Sequence, residues 1–160
     1  MVDYAIAHGV NYFDVAPVYV RGLSEQATGL ALSRHSRDKY FIATKLSTHR
    51  PVPEWRTLEG SKGLFEQSLK NLRVDYIDYY LMHMLNDVAT WKRLTDLGME
   101  AWIAGKKAEG KIENIGFSFH GATEQFIKII DAYDWDFCQI QFNYMEGSGD
   151  YSMQREKVCR

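Results

Sequence analysis

The chain has 160 residues, with 46% apolar and 25% charged residues; that is enough apolar surface for the core of one ordinary domain and excludes disordered, collagen-like and coiled-coil classes. Its 19 Lys plus Arg against 21 Asp plus Glu leave a formal net charge of −2 with no long block of either sign, so neither nucleic acid nor an anionic membrane surface is expected as a partner. The two cysteines, Cys138 and Cys159, lack metal-ligand spacing, and no stretch has signal-peptide order or the length of a membrane span, which together read as a cytoplasmic chain.

In chain order, short runs rich in β-branched and aromatic residues alternate with stretches of helical spacing. A helix over Val2–His8 stops at Gly9, a residue suited to a left-handed cap, and Asn11–Ala16 follows as a strand. Ser24 and Glu25 open a helix to about Arg34 with Ala27, Leu30 and Ala31 on its apolar face, before a strand over Tyr40–Leu46. Pro51 and Pro53 mark a loop; Ser61–Leu72 then reads as a helix and Tyr76–Met82 as a strand. One long amphipathic helix is predicted over Trp91–Glu109, ended by Gly110, with a strand at Asn114–Phe119. A helix at Thr123–Ala132 and a strand at Phe137–Tyr144 complete the series. The remaining residues, rich in Gly, Ser and charge, show no convincing element.

Strict alternation implies parallel strands with right-handed crossovers, hence a doubly wound sheet or a (β/α) barrel. Strand centres recur about every 30 residues, the average of a (β/α)8 barrel, so five units amount to five-eighths of one. Neither GxGxxG nor GxxxxGK[ST] occurs at a strand-to-helix turn, which weighs against the doubly wound dinucleotide and P-loop sheets.

In such folds chemistry sits at the C-terminal ends of strands. Asp14, Tyr19, Lys45 and His83 fall at or just after the ends of three successive strands. Singly, each has an ordinary reading: a turn cap, an amphipathic surface cover, a solvated flanking lysine and a packed histidine. Their coincidence points further. An ammonium beside a phenol lowers its pKa, a carboxylate orients the ammonium, and an imidazole can position a carbonyl oxygen. That set suits reduction of a carbonyl by an external hydride donor, with Tyr19 as general acid and Lys45 lowering the Tyr19 pKa. It suits metal-dependent hydrolysis poorly, because no HxH pair or carboxylate–histidine cluster has ligand spacing.

At these residues the chain resembles the aldo-keto reductase family. HGVNYFDVAPVYVRGLSE, residues 8–25, is similar to the segment that carries the family's catalytic aspartate and tyrosine. FIATK, residues 41–45, and DYYLMH, residues 78–83, resemble the strands that carry its lysine and histidine. The resemblance implies a catalytic tetrad of Asp14, Tyr19, Lys45 and His83, an NADP(H) cofactor and a small carbonyl substrate. By position in GFSFHG and FCQIQFNYM, it assigns Ser118 and Gln139 to the nicotinamide carboxamide. The wording of these two motifs is similar to the branch that often carries a C-terminal ferredoxin-like domain, for which this chain has no cluster cysteines. Val15 stands where many members have threonine, and Phe119 where asparagine is usual.

The resemblance covers the family's second to sixth strands. It implies a partial (β/α)8 TIM barrel of five βα units over residues 1–146, with 147–160 a loop or truncated segment, in a fragment of a longer reading frame. Phe13, Ile42 and Ile140 are expected to face inward without an opposing layer, and the open sheet edges to promote self-association. The alternative function is an inactive barrel remnant that acts as a binding or interaction module.

Overall fold

Strands β1 (Tyr12–Asp14), β2 (Phe41–Ser47), β3 (Ile77–His83), β4 (Ile112–Phe119) and β5 (Phe137–Ile140) pair in parallel, and their spatial order is their chain order. The structure is a computed structural model that describes residues 1–48 and 53–140. Helices α1 (Val2–Ala7), α2 (Ser24–Leu32), α3 (Leu58–Leu72), α4 (Val88–Asp96), α5 (Met99–Ala108) and α6 (Thr123–Ile130) alternate with the strands. Unbroken sequential order decides between the two topologies left open by periodicity. A doubly wound sheet reverses its strand order at a switch point, whereas right-handed crossovers that always advance lay every helix on one face and curl the sheet. The five strands form an open arc of a (β/α)8 barrel.

The outer face carries the core. Ile42, Tyr80, Met82, Ile115 and Phe117 of the sheet are buried with Leu32, Phe65, Leu94, Ile103 and Phe126 of the helices. Each such burial contributes about 1.5–3 kcal/mol. Strand alternation then reverses the expectation for Phe13, Ile42 and Ile140. Phe13 pairs in register with Ile42, which is fully buried in the core, and Ile140 pairs with Phe119, whose ring packs 5.2 Å from Phe126 of α6. All three share the helix-covered face. The inner face instead carries an aromatic row in which Tyr79 meets Tyr12, Phe41 and Phe137 at ring-centroid distances of 5.3, 6.2 and 5.2 Å. Tyr12 and Phe41 are 40% and 43% exposed there.

The stretch expected as one helix over Trp91–Glu109 is two. Gly98, at φ 93°, takes the left-handed conformation that a Cβ would oppose, and it separates α4 from α5. Helices α3 and α4 also begin about one turn earlier than apolar spacing suggests. Thr57 and Asp87 cap them, accepting from the amides of Gly60 at 3.1 Å and Thr90 at 2.7 Å.

Helix α2 buries Glu25, Gly29 and Leu32 rather than the face expected from Ala27, Leu30 and Ala31; Leu30 is exposed. Two local facts override hydrophobic periodicity. The Glu25 carboxylate accepts from Thr44 Oγ1 at 2.6 Å and Asn71 Nδ2 at 3.0 Å. A Cβ on Gly29 would lie 2.5 Å from the Asn71 carbonyl oxygen, so only glycine lets α2 approach α3 this closely.

At the N-terminal end of the sheet, the buried Asp78 accepts from Arg37 and from the Ile42 amide at 2.7 Å, while the guanidinium lies 4.1 Å from the Tyr76 ring centroid. Position at this end marks a stabilising device. Asp78→Ala is expected to lower unfolding free energy by about 3 kcal/mol, because it strands a largely buried guanidinium and an amide. Urea denaturation measures it, and a loss under about 0.5 kcal/mol would remove the pair from the stability account.

The expected last residues of the fifth strand, 141–144, and the segment 147–160 lie outside the described residues.

Candidate active site

Asp14 and His83 are the last residues of β1 and β3, and Lys45 lies near the end of β2, so chain direction alone carries all three to the same end of the sheet. Alternation does the rest. Lys45 and Ser47 are two residues apart on β2, and Ser47 pairs with His83 across the β2–β3 ladder, so all three side chains rise from the inner face.

Lys45 is 2% exposed, and its ammonium donates to Asp14 Oδ1 at 2.6 Å and to the Val15 carbonyl at 2.8 Å. Burial draws the ammonium below the ordinary lysine pKa, while the Asp14 hydrogen bond and charge oppose that fall. The second carboxylate oxygen, Asp14 Oδ2, is buried and has no hydrogen-bond partner among the described residues. Val15 serves the lysine through its backbone, so the usual threonine is not needed for this contact.

Tyr19 opens a 3-10 turn, Tyr19–Gly22, in which Val20 and Arg21 hold φ of 50° and 55°. A β-branched residue in that region is strained, and the turn swings the Tyr19 ring back over the sheet end. Its hydroxyl lies 3.4 Å from His83 Nε2, the two rings meet edge to face, and Lys45 Nζ lies 4.8 Å from the phenol ring centroid.

The expected lowering of the Tyr19 pKa by Lys45 is not found in this geometry. Burial, and after it the Asp14 carboxylate, push the phenol above its ordinary value. The ammonium sits over the ring face with its charge matched by Asp14, so it has little left to offer the hydroxyl.

On the next strand, Ser118 is buried and its Oγ accepts from the Met84 amide at 2.8 Å, which ties β4 to the residue after His83. Gln139 is exposed and pairs in register with Ser118. Its place relative to the other five rests on that register alone. Phe119 turns to the opposite face and is fully buried in the core.

Sequence reasoning missed three polar residues that hold this arrangement. Ser47 Oγ lies 3.0 Å from His83 Nδ1, and Thr48 Oγ1 donates to the His83 carbonyl at 3.0 Å. Glu25 braces α2 against β2 from behind. Ser47 had a readable signal, since it lies two residues after Lys45 on the same strand face; Glu25 had none, because a carboxylate at the start of a helix reads as solvated.

Asp14→Asn tests the ion pair. Without the carboxylate the Lys45 pKa falls further, which penalises the folded state wherever an unfolded lysine would be charged. The variant is expected to be less stable by about 2 kcal/mol at pH 7, less than for a fully buried pair because Asp14 is partly open to water. The deficit shrinks as pH rises toward about 10.4, the ordinary lysine pKa. Denaturation at pH 7 and pH 10 measures both values, and a deficit that grows with pH would reverse the assignment.

The model of the Aldo/keto reductase family matches residues 1–159. Aldo-keto reductase YhdN of Bacillus subtilis is 31% identical over 110 residues, which cover 64% of this chain and 32% of YhdN. Among solved structures, an aldo/keto reductase from Brucella melitensis superposes with a TM-score of 0.70 at 26% identity, covering 98% of this chain and 56% of its own. One from Klebsiella pneumoniae, in complex with NADP and acetate, is 28% identical with a TM-score of 0.56, over 77% of this chain and 39% of its own. The chain spans about a third of the length of the curated relatives it matches. Among the described residues, no helix is long and apolar enough to cross a membrane.

Proposed function

Because the chain belongs to the Aldo/keto reductase family, we propose that it supplies the acid–base half of an NADP(H)-dependent reduction of small aldehydes or ketones. The observation that carries this reading is the meeting of Tyr19 with His83 at 3.4 Å beside the Lys45–Asp14 pair at 2.6 Å, at the C-terminal end of a barrel sheet.

The donor set fits a nicotinamide cofactor. The buried, unpartnered Asp14 Oδ2 is an acceptor suited to a sugar hydroxyl. The Ser118 hydroxyl, which already accepts from Met84, keeps its own proton to donate to a carboxamide oxygen. Gln139 can accept from the carboxamide amine through its side-chain oxygen. When bound, the cofactor supplies a hydride to the carbonyl carbon.

The chain's residues handle the oxygen. Tyr19, kept a neutral phenol by burial, transfers its hydroxyl proton to the carbonyl oxygen as charge develops there, and the product is an alcohol. The phenolate left behind faces the Lys45 ammonium, which Asp14 holds in place, and solvent returns the proton. His83 directs the carbonyl oxygen toward Tyr19.

The test is a chimaeric barrel in which residues 1–140 replace the matching units of a relative such as YhdN. With NADPH and a panel of aldehydes and ketones, steady oxidation of the nicotinamide is expected. A folded chimaera that binds NADPH yet reduces none of them would overturn the proposal.

A further inference from the structure

We propose that Ser47 is a positioning residue that sets the tautomer of His83, with Thr48 fixing the backbone beneath it. This deepens the reading above and rests on it for its catalytic consequence, though not for the structural effect itself.

The two hydroxyls are consecutive at the end of β2 and grip one residue of β3 in different places. Ser47 Oγ reaches His83 Nδ1 at 3.0 Å, and Thr48 Oγ1 donates to the His83 carbonyl at 3.0 Å. Ser47, Thr48 and His83 are 4%, 7% and 4% exposed. Water therefore competes little for these bonds, and each constrains the ring more than a surface contact would.

The choice of a hydroxyl at Nδ1 has a chemical consequence. A backbone carbonyl or carboxylate there can only accept, which would force the proton onto Nδ1 and leave Nε2 with a lone pair. A serine hydroxyl can donate to Nδ1 and so leave the proton on Nε2. Nε2 is the nitrogen that faces Tyr19, at 3.4 Å. A carbonyl oxygen between the two would be an acceptor, and it meets a donor on both sides only if Nε2 carries its hydrogen. In the opposite tautomer the Nε2 lone pair would repel that oxygen and take the Tyr19 hydroxyl hydrogen itself. With its hydroxyl hydrogen directed to Nδ1, Ser47 thus holds His83 in the form that helps to orient a carbonyl.

The experiment uses the 160-residue chain and needs no turnover. With ¹⁵N-labelled histidine, the two ring-nitrogen resonances of His83 report which nitrogen carries the proton when the ring is neutral. The parent is expected in the Nε2–H form. Ser47→Ala is expected to lower the ratio of Nε2–H to Nδ1–H about three- to tenfold, the worth of one net hydrogen bond. Ser47→Thr, which keeps the hydroxyl, is expected to restore it. Backbone amide spectra matching the parent establish that each variant is folded.

A parent in the Nδ1–H form, or a ratio unchanged in folded Ser47→Ala, would overturn the inference. In the chimaeric barrel, Ser47→Ala is further expected to lower kcat about tenfold with NADPH affinity unchanged. A shifted tautomer with unchanged kcat would refute the catalytic consequence. Loss of the proposed reductase activity in the parent chimaera would strike the functional reading and leave the tautomer measurement intact.

Discussion

Tyr19→Phe is expected to lower carbonyl reduction by the chimaeric barrel about 10²–10⁴-fold, the usual worth of a positioned general acid, while NADPH affinity changes less than about twofold. The substitution removes one oxygen and leaves the ring, so the edge-to-face packing on His83 and the approach of Lys45 to the ring are retained. A variant with parental turnover would exclude Tyr19 as the acid, whereas loss of NADPH affinity in parallel with rate would show that the hydroxyl serves binding. The pH dependence carries a second signature. Burial and Asp14 raise the Tyr19 pKa, so the phenol keeps its proton through neutral pH. The parent rate is therefore expected to fall only in alkali, as the hydroxyl ionises.

The second large effect concerns the 160-residue chain by itself, which is expected to bind NADPH at least a hundredfold more weakly than a closed relative and to show no measurable reductase activity. The deficit corresponds to about 2.8 kcal/mol. Strands β1 and β5 are the outer strands of the described sheet, and each offers a row of unpaired backbone groups on its open side. Among the described residues the inner aromatic row has no opposing layer, with Tyr12 and Phe41 40% and 43% exposed. Family resemblance places the contacts to the adenosine phosphate on loops after later strands, and each charge-assisted hydrogen bond lost there is worth about 1.5–3 kcal/mol. Burial raises the Tyr12 phenol to about 12, so this surface stays uncharged in neutral buffer and favours self-association. Fluorescence titration with NADPH, an aldehyde assay and sedimentation test the three parts. Micromolar binding with steady turnover would mean that association of copies rebuilds a working site, and it would remove the interaction-module alternative.

Sequence alone determined the succession of five strands and their helices, because alternation and helical spacing are local properties that backbone geometry enforces. It also determined that Asp14, Lys45 and His83 lie at or near strand ends, since in a parallel sheet chain position at the end of a strand is spatial position at one rim. The family followed from motif order, which also put Tyr19 on the loop after the first strand, whereas the Tyr19–Gly22 turn and the Ser118–Gln139 register came from the fold. Tertiary structure decided what depends on neighbours distant in sequence. Which face of each strand is inward was misread for Phe13, Ile42 and Ile140, because both faces of these strands are apolar and the phase is set by where the helices dock. The α2 face turned on Glu25 finding Thr44 and Asn71, and the break at Gly98 on a left-handed residue inside an otherwise unbroken amphipathic pattern. The direction of the Tyr19 pKa was the largest reversal. Spacing placed an ammonium near the phenol, but only the fold shows that Lys45 is buried, paired with Asp14 and over the ring face, so burial and then the Asp14 carboxylate set the direction.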